Sequence, residues 1–471
     1  MITMEKKEKI KLSAYAAITA FSFYFLISPR PSGISVPIFA ALQFLMMCFV
    51  VPQKKKLIKF IPIFILSLNY FISGSRIWHI INIPVFVILL SAMFADVSIT
   101  QKATTAAGNV LLKSREPFSR FHLPFKWFGE LTSGKGAITK KIIFALLCAL
   151  VCVIPLIIIL SGADMVFDNH AGILMESLSS QWDVTTTFFA VTSTAVGLYL
   201  FGMVHSSHDK PRPVFERIYA PDGDLLTINT VLGAALTVYT IFCIIQFKYL
   251  FAGSTLPAGL SYAEYARKGF FELLGLSFAN IVAILLVVFF TQAKEGNWAK
   301  VSRLLCCYLC AVTMVLLVSS YYRLSLYTAE YGLTRLRLFV MGFLFFEAIG
   351  LVATFVYILK PRFNVVYIYG ALATVYYLVL NIVPVDYVIA ENHVNKYIEN
   401  KTPIPEYVFE LSSDAAPAME KLFHHTDNAE IKNEITTFFT RNSLRSGDKW
   451  QSYNLSIENS KRTHRGLYSG K

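Results

Sequence analysis

Long apolar runs alternate along this chain with short polar connections that are often basic. Stretches close to the roughly twenty residues a helix needs to cross about 30 Å of hydrocarbon extend from Leu12 to Ile27, Ile34 to Val51, Leu57 to Ser73, Ile77 to Ala95, Ile142 to Ser161, Val184 to Val204, Leu226 to Tyr249, Gly269 to Phe290, Leu304 to Tyr321, Leu338 to Leu359 and Val365 to Val383. Each is about twice as long as a barrel strand requires, and backbone polar groups cannot stay unpaired in lipid, so the pattern predicts helices. The expected fold is therefore all-α, a polytopic transmembrane helix bundle of about 11 spans. Four spans lie within residues 1–95 and seven within residues 142–383. The third and fourth are separated only by Gly74, Ser75 and Arg76. The first run reads as a retained helix, not a secretory signal, because Ser28, Pro29, Arg30 and Pro31 offer no small-residue cleavage pattern.

Two segments break the alternation. Residues 96–141 form a long connection in which basic residues mix with Phe118, Phe121, Phe125, Trp127 and Phe128, a combination suited to the headgroup boundary of an anionic membrane or to a docked cytoplasmic partner. From Pro384 onward, 88 residues carry 11 basic and 12 acidic side chains and no span-length apolar run. Within them Tyr387, Ala390, Val394 and Tyr397 recur at helical spacing, as do Ala415, Met419, Leu422 and Phe423, and then Ile431, Ile435 and Phe438. Three amphipathic helices are expected, with Ser412, Ser413 and Asp414 as N-cap candidates for the second and Asn428 for the third. Beyond Ser443 only Trp450, Tyr453 and Leu455 interrupt a polar stretch, and the last fifteen residues are expected to fray. Residues 384–471 thus read as a small helical extracytoplasmic domain, resting on the membrane part because its own core is thin.

Composition sharpens this picture. Of 471 residues 55% are hydrophobic and 15% charged, with a mean hydropathy of +0.53, which excludes an ordinary soluble enzyme, a disordered chain and a coiled coil. The net charge of +13 is no sign of nucleic-acid binding, because the basic residues sit in short connections between apolar runs. With a cytoplasmic N-terminus, twenty-four Lys and Arg fall on inner connections against eight on outer ones. That bias places the N-terminus in the cytoplasm, and eleven spans then put the C-terminus outside. All seven cysteines lie within the apolar runs, so no disulfide framework is expected, and Cys307 with Cys310 reads as helix packing more readily than as a redox pair.

Candidate chemistry is sparse. The chain has no P-loop, no H-E-x-x-H and no G-x-S-x-G, and no catalytic residue, cofactor or metal is assigned. His205 and His208 have metal-ligand spacing but no third ligand nearby in sequence, and read as a solvated helix end. The most informative stretch runs from Lys248 to Leu273. Ser261 and Glu264 there make a capping box, and helical spacing stacks Glu264, Lys268 and Glu272 on one face with Arg267 beside them. With Tyr249, Tyr262 and Tyr265 these residues outline either a salt-bridged helix entry or a polar vestibule for a ligand, lipid headgroup or partner. A second outer loop, from Arg323 to Arg337, adds Tyr327 and Tyr331 and carries complementary charge. Glu347 lies near the middle of the tenth span, where it must turn inward, find a partner or be protonated. Asn69, Asn229, Asn280 and Asn381 are candidate interhelical partners.

The same two outer segments carry a resemblance. QFKYLFAG (Gln246 to Gly253), GLSYAEYARKGFFELL (Gly259 to Leu274) and the R-L-x-L-Y-x-x-x-Y-G-L-T-x-L-R pattern from Arg323 to Arg337 resemble a family of bacterial multi-span membrane proteins known only as a domain of unknown function. Weaker matches lie at Asn381 to Tyr387, at LSSDAAPAM (Leu411 to Met419) and near Trp450 and Asn454. The resemblance covers the last half of the chain in detail and the first half by hydrophobic character. It implies a bacterial plasma-membrane location and brings no activity, ligand or catalytic residue.

Together these readings point to a non-enzymatic envelope signalling, sensing or assembly component. The expected partners are the lipid bilayer and a membrane or envelope protein. A secondary transporter using Glu347, or a membrane-embedded transferase acting on lipid-linked substrates, are the alternatives. The sequence carries no indication of oligomeric state.

Overall fold

The computed structural model describes residues 5–28, 33–95, 103–131, 184–208, 224–246, 270–291, 295–360, 364–443 and 449–468, and these are helical with no strand among them. The α-helices are α1 (Lys6–Leu26), α2 (Ser35–Val50), α3 (Ile61–Ile72), α4 (Arg76–Phe94), α5 (Ala103–Arg115), α6 (Leu123–Leu131), α7 (Val184–Ser206), α8 (Leu225–Gln246), α9 (Phe270–Thr291), α10 (Asn297–Tyr331), α11 (Arg335–Leu359), α12 (Val365–Ile382), α13 (Val385–Asn400), α14 (Ala416–His425), α15 (Ala429–Ser443) and α16 (Leu455–Tyr468). Among the described residues seven helices are long and apolar enough to cross a membrane: α4, α7, α8, α9, α10, α11 and α12. Helix α2 is apolar but has only 16 residues, and α3 has 12, about 18 Å of rise, extended at its start by the 3-10 turn Lys54–Phe60. The expected span from Ile142 to Ser161 lies outside the described residues.

The chain divides into two compact units. One comprises Met1–Asp96, Asn109–Arg212 and Leu444–Glu458; the other comprises Val97–Gly108, Pro213–Ser443 and Asn459–Lys471. In the first unit, α1 packs along α7 so closely that a Cβ on Gly197 would come within 2.8 Å of Ala20 Cβ. Small residues let two apolar helices approach in this way where no hydrophobic driving force separates lipid from protein. The aromatic connection after α5 joins this unit's core: Leu123 and Trp127 are buried with Phe201 and Met203, and Pro117 lies against Gly202. Phe118 and Phe128 remain exposed. His205 is no solvated end; it is half-buried against Trp127, Phe201 and the Arg120 guanidinium.

The tail returns to this first unit. Ile34 N–H donates to Tyr453 O at 2.9 Å, and Asn454 Nδ2 donates to Tyr70 O and Ser73 O at 2.9 and 2.8 Å. Those carbonyls belong to the end of α3, where a helix leaves acceptors without intrahelical partners. Asn454 Oδ1 meanwhile accepts from Ile457 N–H at 3.0 Å and caps α16. Residues expected to fray are therefore helical to Tyr468, started by this cap.

In the second unit α8, α9, α10 and α11 surround an apolar core containing Leu236, Ile284, Leu317, Leu324, Leu344 and Leu351. Outward positions such as Val238, Phe278, Leu304 and Phe345 are exposed while Ser277, Thr313, Ser319 and Thr354 are buried, the reverse of a soluble protein and the arrangement expected where the solvent is hydrocarbon. The three amphipathic helices after residue 384 form as α13, α14 and α15 around Ile389, Val394, Met419, Leu422, Ile435 and Phe438. Asn428 Oδ1 accepts from Glu430 N–H at 2.8 Å at the start of α15, whereas α14 begins from the 3-10 turn Ser413–Ala415 with no side-chain cap.

Candidate functional site

Helix α10 differs most from its expected form. The stretch from Arg323 to Tyr331 is not a loop; it continues the helix to a length of 35 residues, about 52 Å at 1.5 Å per residue and well beyond a 30 Å hydrocarbon core. Nothing between Leu304 and Tyr331 breaks a helix, and the first residue that does is Gly332, whose φ of +76° is one that L side chains rarely adopt. The connection to α11 is therefore only Gly332, Leu333 and Thr334, with Thr334 Oγ1 accepting from Arg337 N–H.

Helix α13 and Tyr407 clasp this turn. Arg335 Nε and Nη2 donate to the two carboxylate oxygens of Asp386 at 2.7 and 2.8 Å, and Asp386 Oδ2 also accepts from Ser412 N–H at 3.0 Å. Burial opposes the charge on Asp386, but the Arg335 guanidinium and the Ser412 donors outweigh it and hold the carboxyl below its ordinary range. Leu333 N–H donates to Asn392 Oδ1, and Leu333 O accepts from Tyr407 Oη at 2.8 Å with His393 Nε2 at 2.9 Å. Burial lowers the His393 pKa against the pull of the Leu333 carbonyl, with the Lys396 and Arg337 charges acting in the same direction as burial. Lys396 Nζ reaches the final carbonyls of α10 at Thr328 and Ala329, a cation at a helix C-terminus. Arg337 lies over the Tyr327 ring at 4.1 Å and donates to Gly332 O.

Below the clasp, polar side chains line the buried faces of the bundle. Ser319 Oγ and Arg323 Nη2 both donate to Gln246 Oε1, at 2.9 and 3.0 Å, joining α8 to α10. Further along α10, Asn280 accepts from Tyr239 at 2.7 Å and donates to Thr313 at 3.1 Å, joining α8, α9 and α10. Glu347 is 5% exposed, and its Oε1 lies 2.8 Å from Ser277 Oγ. Asn229 accepts from Ser302 and donates to Trp298 O nearer the other end of α10. Two of the asparagines singled out in sequence thus join helices, while Asn381 Nδ2 turns back to Tyr377 O in its own helix.

Of the residues expected to form a vestibule, Tyr249, Tyr262, Glu264, Tyr265, Arg267 and Lys268 lie outside the described residues. Glu272 is exposed in the first turn of α9. Of the second set, Tyr327, Tyr331 and Arg337 come together at the turn, with Arg337 over the Tyr327 ring and Tyr331 exposed beside it, while Arg323 is buried within the bundle. Sequence reasoning missed Arg335 with Asp386, and His393 with Tyr407. The helical period marked the faces of α13 but gave no reason for an aspartate and a histidine on its buried side. No cluster of three metal-ligating side chains occurs among the described residues.

Neither the curated proteins nor the solved structures compared with this chain give a match. Residues 38–422, most of the chain and all of the clasp, match the family described as Domain of unknown function (DUF4153), and the chain belongs to that family.

Proposed function

We propose that this protein is a multi-pass component of a bacterial plasma membrane, with its N-terminus in the cytoplasm, that senses or assembles at the outer face and performs no catalysis of its own. The observation that carries this reading is the Arg335–Asp386–Ser412 joint. It ties the helices that follow the last span to the turn between the two longest spans, so a load on those helices is delivered to the ends of α10 and α11. The positive-inside count puts the α10–α11 turn outside, and α13 and Tyr407 meet that same turn. In the other unit Asn454 meets the α3–α4 turn, which the count also places outside. A lipid or envelope-protein partner for this face is favoured by the exposed tyrosines and by the missing catalytic motifs.

The test is complementation of a deletion strain. Arg335→Ala and Asp386→Asn are expected to insert at the normal level yet fail to restore envelope phenotypes. Full restoration by both would overturn the reading, as would a reporter after Lys471 found facing the cytoplasm.

A further inference from the structure

We propose that Glu347 is a proton-binding site inside the bundle, holding an exchangeable proton on its carboxyl group midway along α11. This goes beyond the coupling role of the clasp and does not depend on it. Twelve residues, about 18 Å of helix, separate Glu347 from Arg335. Its environment is defined by Ser277, whose Oγ lies 2.8 Å from Glu347 Oε1 and 2.8 Å from the Leu274 carbonyl. A serine hydroxyl has one hydrogen, so it cannot donate to both acceptors at once. If Glu347 is ionised, Ser277 serves the carboxylate only by giving up the Leu274 carbonyl, which keeps its intrahelical amide donor, and the hydroxyl's own acceptor capacity goes unused. If Glu347 carries the proton, a complete chain forms: Glu347 donates to Ser277 Oγ, and Ser277 donates to Leu274 O. The other carboxyl oxygen, Oε2, is buried with no hydrogen-bond partner. One such atom is tolerable on a neutral acid and far more costly on an anion in a medium of low polarity.

Among the described residues the groups around this site supply no counter-charge: Arg323, the buried cation of α10, is engaged with Gln246 Oε1. From α9 come Ser277 and Asn280, which are neutral, while the acidic Glu272 is exposed more than a turn away. From α12 comes Tyr369, whose ring lies against Gly350 and whose hydroxyl pairs with Thr354 at 2.8 Å, and from α10 the buried thiol of Cys310. From α13 the charged groups Asp386 and Lys396 are engaged at the clasp. No salt bridge to Glu347 occurs among the described residues. One carboxyl with neighbouring hydroxyls also falls short of the six to eight oxygen ligands of a calcium site. A proton needs only the single acceptor that Ser277 provides.

The experiment uses the full-length protein in lipid nanodiscs, treated with dicyclohexylcarbodiimide, which adds to protonated carboxyl groups in apolar surroundings, and mapped by peptide mass spectrometry over a series of buffers from acid to alkaline. Glu347 is expected to be the labelled carboxyl within the spans, with labelling falling as pH rises and indifferent to sodium at constant pH. Infrared spectra of the same sample are expected to show a carboxylic-acid carbonyl band that is absent in Glu347→Gln and shifted in Ser277→Ala, where the acceptor is removed. Absence of label on wild-type Glu347 at every pH, together with absence of the band, would overturn the proposal. Labelling suppressed by sodium at constant pH would overturn it in favour of a sodium site.

Discussion

Replacing Asp386 by Asn removes a negative charge from a position where three donors converge, and the structure sets the size of the effect. Arg335 contributes two charge-assisted bonds and Ser412 a backbone donor, all within 3.0 Å. The asparagine carbonyl can retain part of this set, but its amide presents hydrogens to the guanidinium. Bonds to charged groups contribute about 1.5–3 kcal/mol each. The Arg335 side chain is 35% exposed and can recover solvation, which keeps the loss below the roughly 3–5 kcal/mol of a fully buried broken pair. A net cost of about 2 kcal/mol follows, equivalent to roughly a thirtyfold shift in a local opening equilibrium. Hydrogen exchange in nanodiscs reads that opening directly, and amides of α13 and of the Ser412 turn are expected to exchange about thirtyfold faster in the variant while those of α9 are unchanged. The pH dependence follows from the same bond. Because the folded-state pKa of Asp386 lies below its unfolded value, the stabilisation is complete above about pH 4 and is lost as the pH falls through the lower, folded value. The variant lacks that acid transition. Equal α13 exchange in wild type and variant at neutral pH would refute the argument that this joint holds the tail helices to the spans.

Other perturbations separate the remaining contacts. Gly332→Ala places a side chain at a φ of +76° and against the His393 ring, with a cost of about 1–3 kcal/mol that a lowered thermal midpoint should report. His393 has its pKa lowered by burial, so its contribution is complete above the unfolded value of about 6.5 and is lost as the pH falls below it and through the lower, folded value; wild-type α13 should exchange faster at acid pH and His393→Gln should not. Asn454→Ala removes two bonds to the end of α3 and the cap of α16, and a loss of about 2 kcal/mol should appear as faster exchange over residues 455–458. Gly197→Leu forces a side chain into Ala20 and the Ala16 carbonyl, and the α1–α7 contact should loosen by about 1–3 kcal/mol; a variant as heat-resistant as wild type would show that this approach is unimportant.

The legibility of the structure differed by region for physical reasons. Helices α8, α9, α11 and α12 were legible to within about three residues at their described ends, because a lipid-crossing helix must be apolar along its whole length and its ends coincide with the polar connections. Helices α13 to α15 were equally legible, from the three-to-four-residue recurrence of Val394, Met419, Leu422, Ile435 and Phe438. The ends of α10 were not, because three arginines and two tyrosines in fifteen residues have the composition of a loop, and composition does not distinguish a loop from a helix that runs past the membrane into water. Gly332 carried the signal that would have corrected this, as the first residue permitting a left-handed turn.

Sequence alone determined that the described residues are helical, that the chain is suited to a bilayer and that Glu347 must avoid lipid, because each follows from the chemistry of a residue and its immediate neighbours. Only the tertiary structure decided that Asp386 meets Arg335, that Ser277 is the neighbour of Glu347 and that Asn454 caps a helix some 380 positions earlier in the chain. Those pairings join residues between 51 and 384 positions apart. A periodic pattern specifies which face of a helix is buried, but the partner of that face is selected by the packing of the other helices.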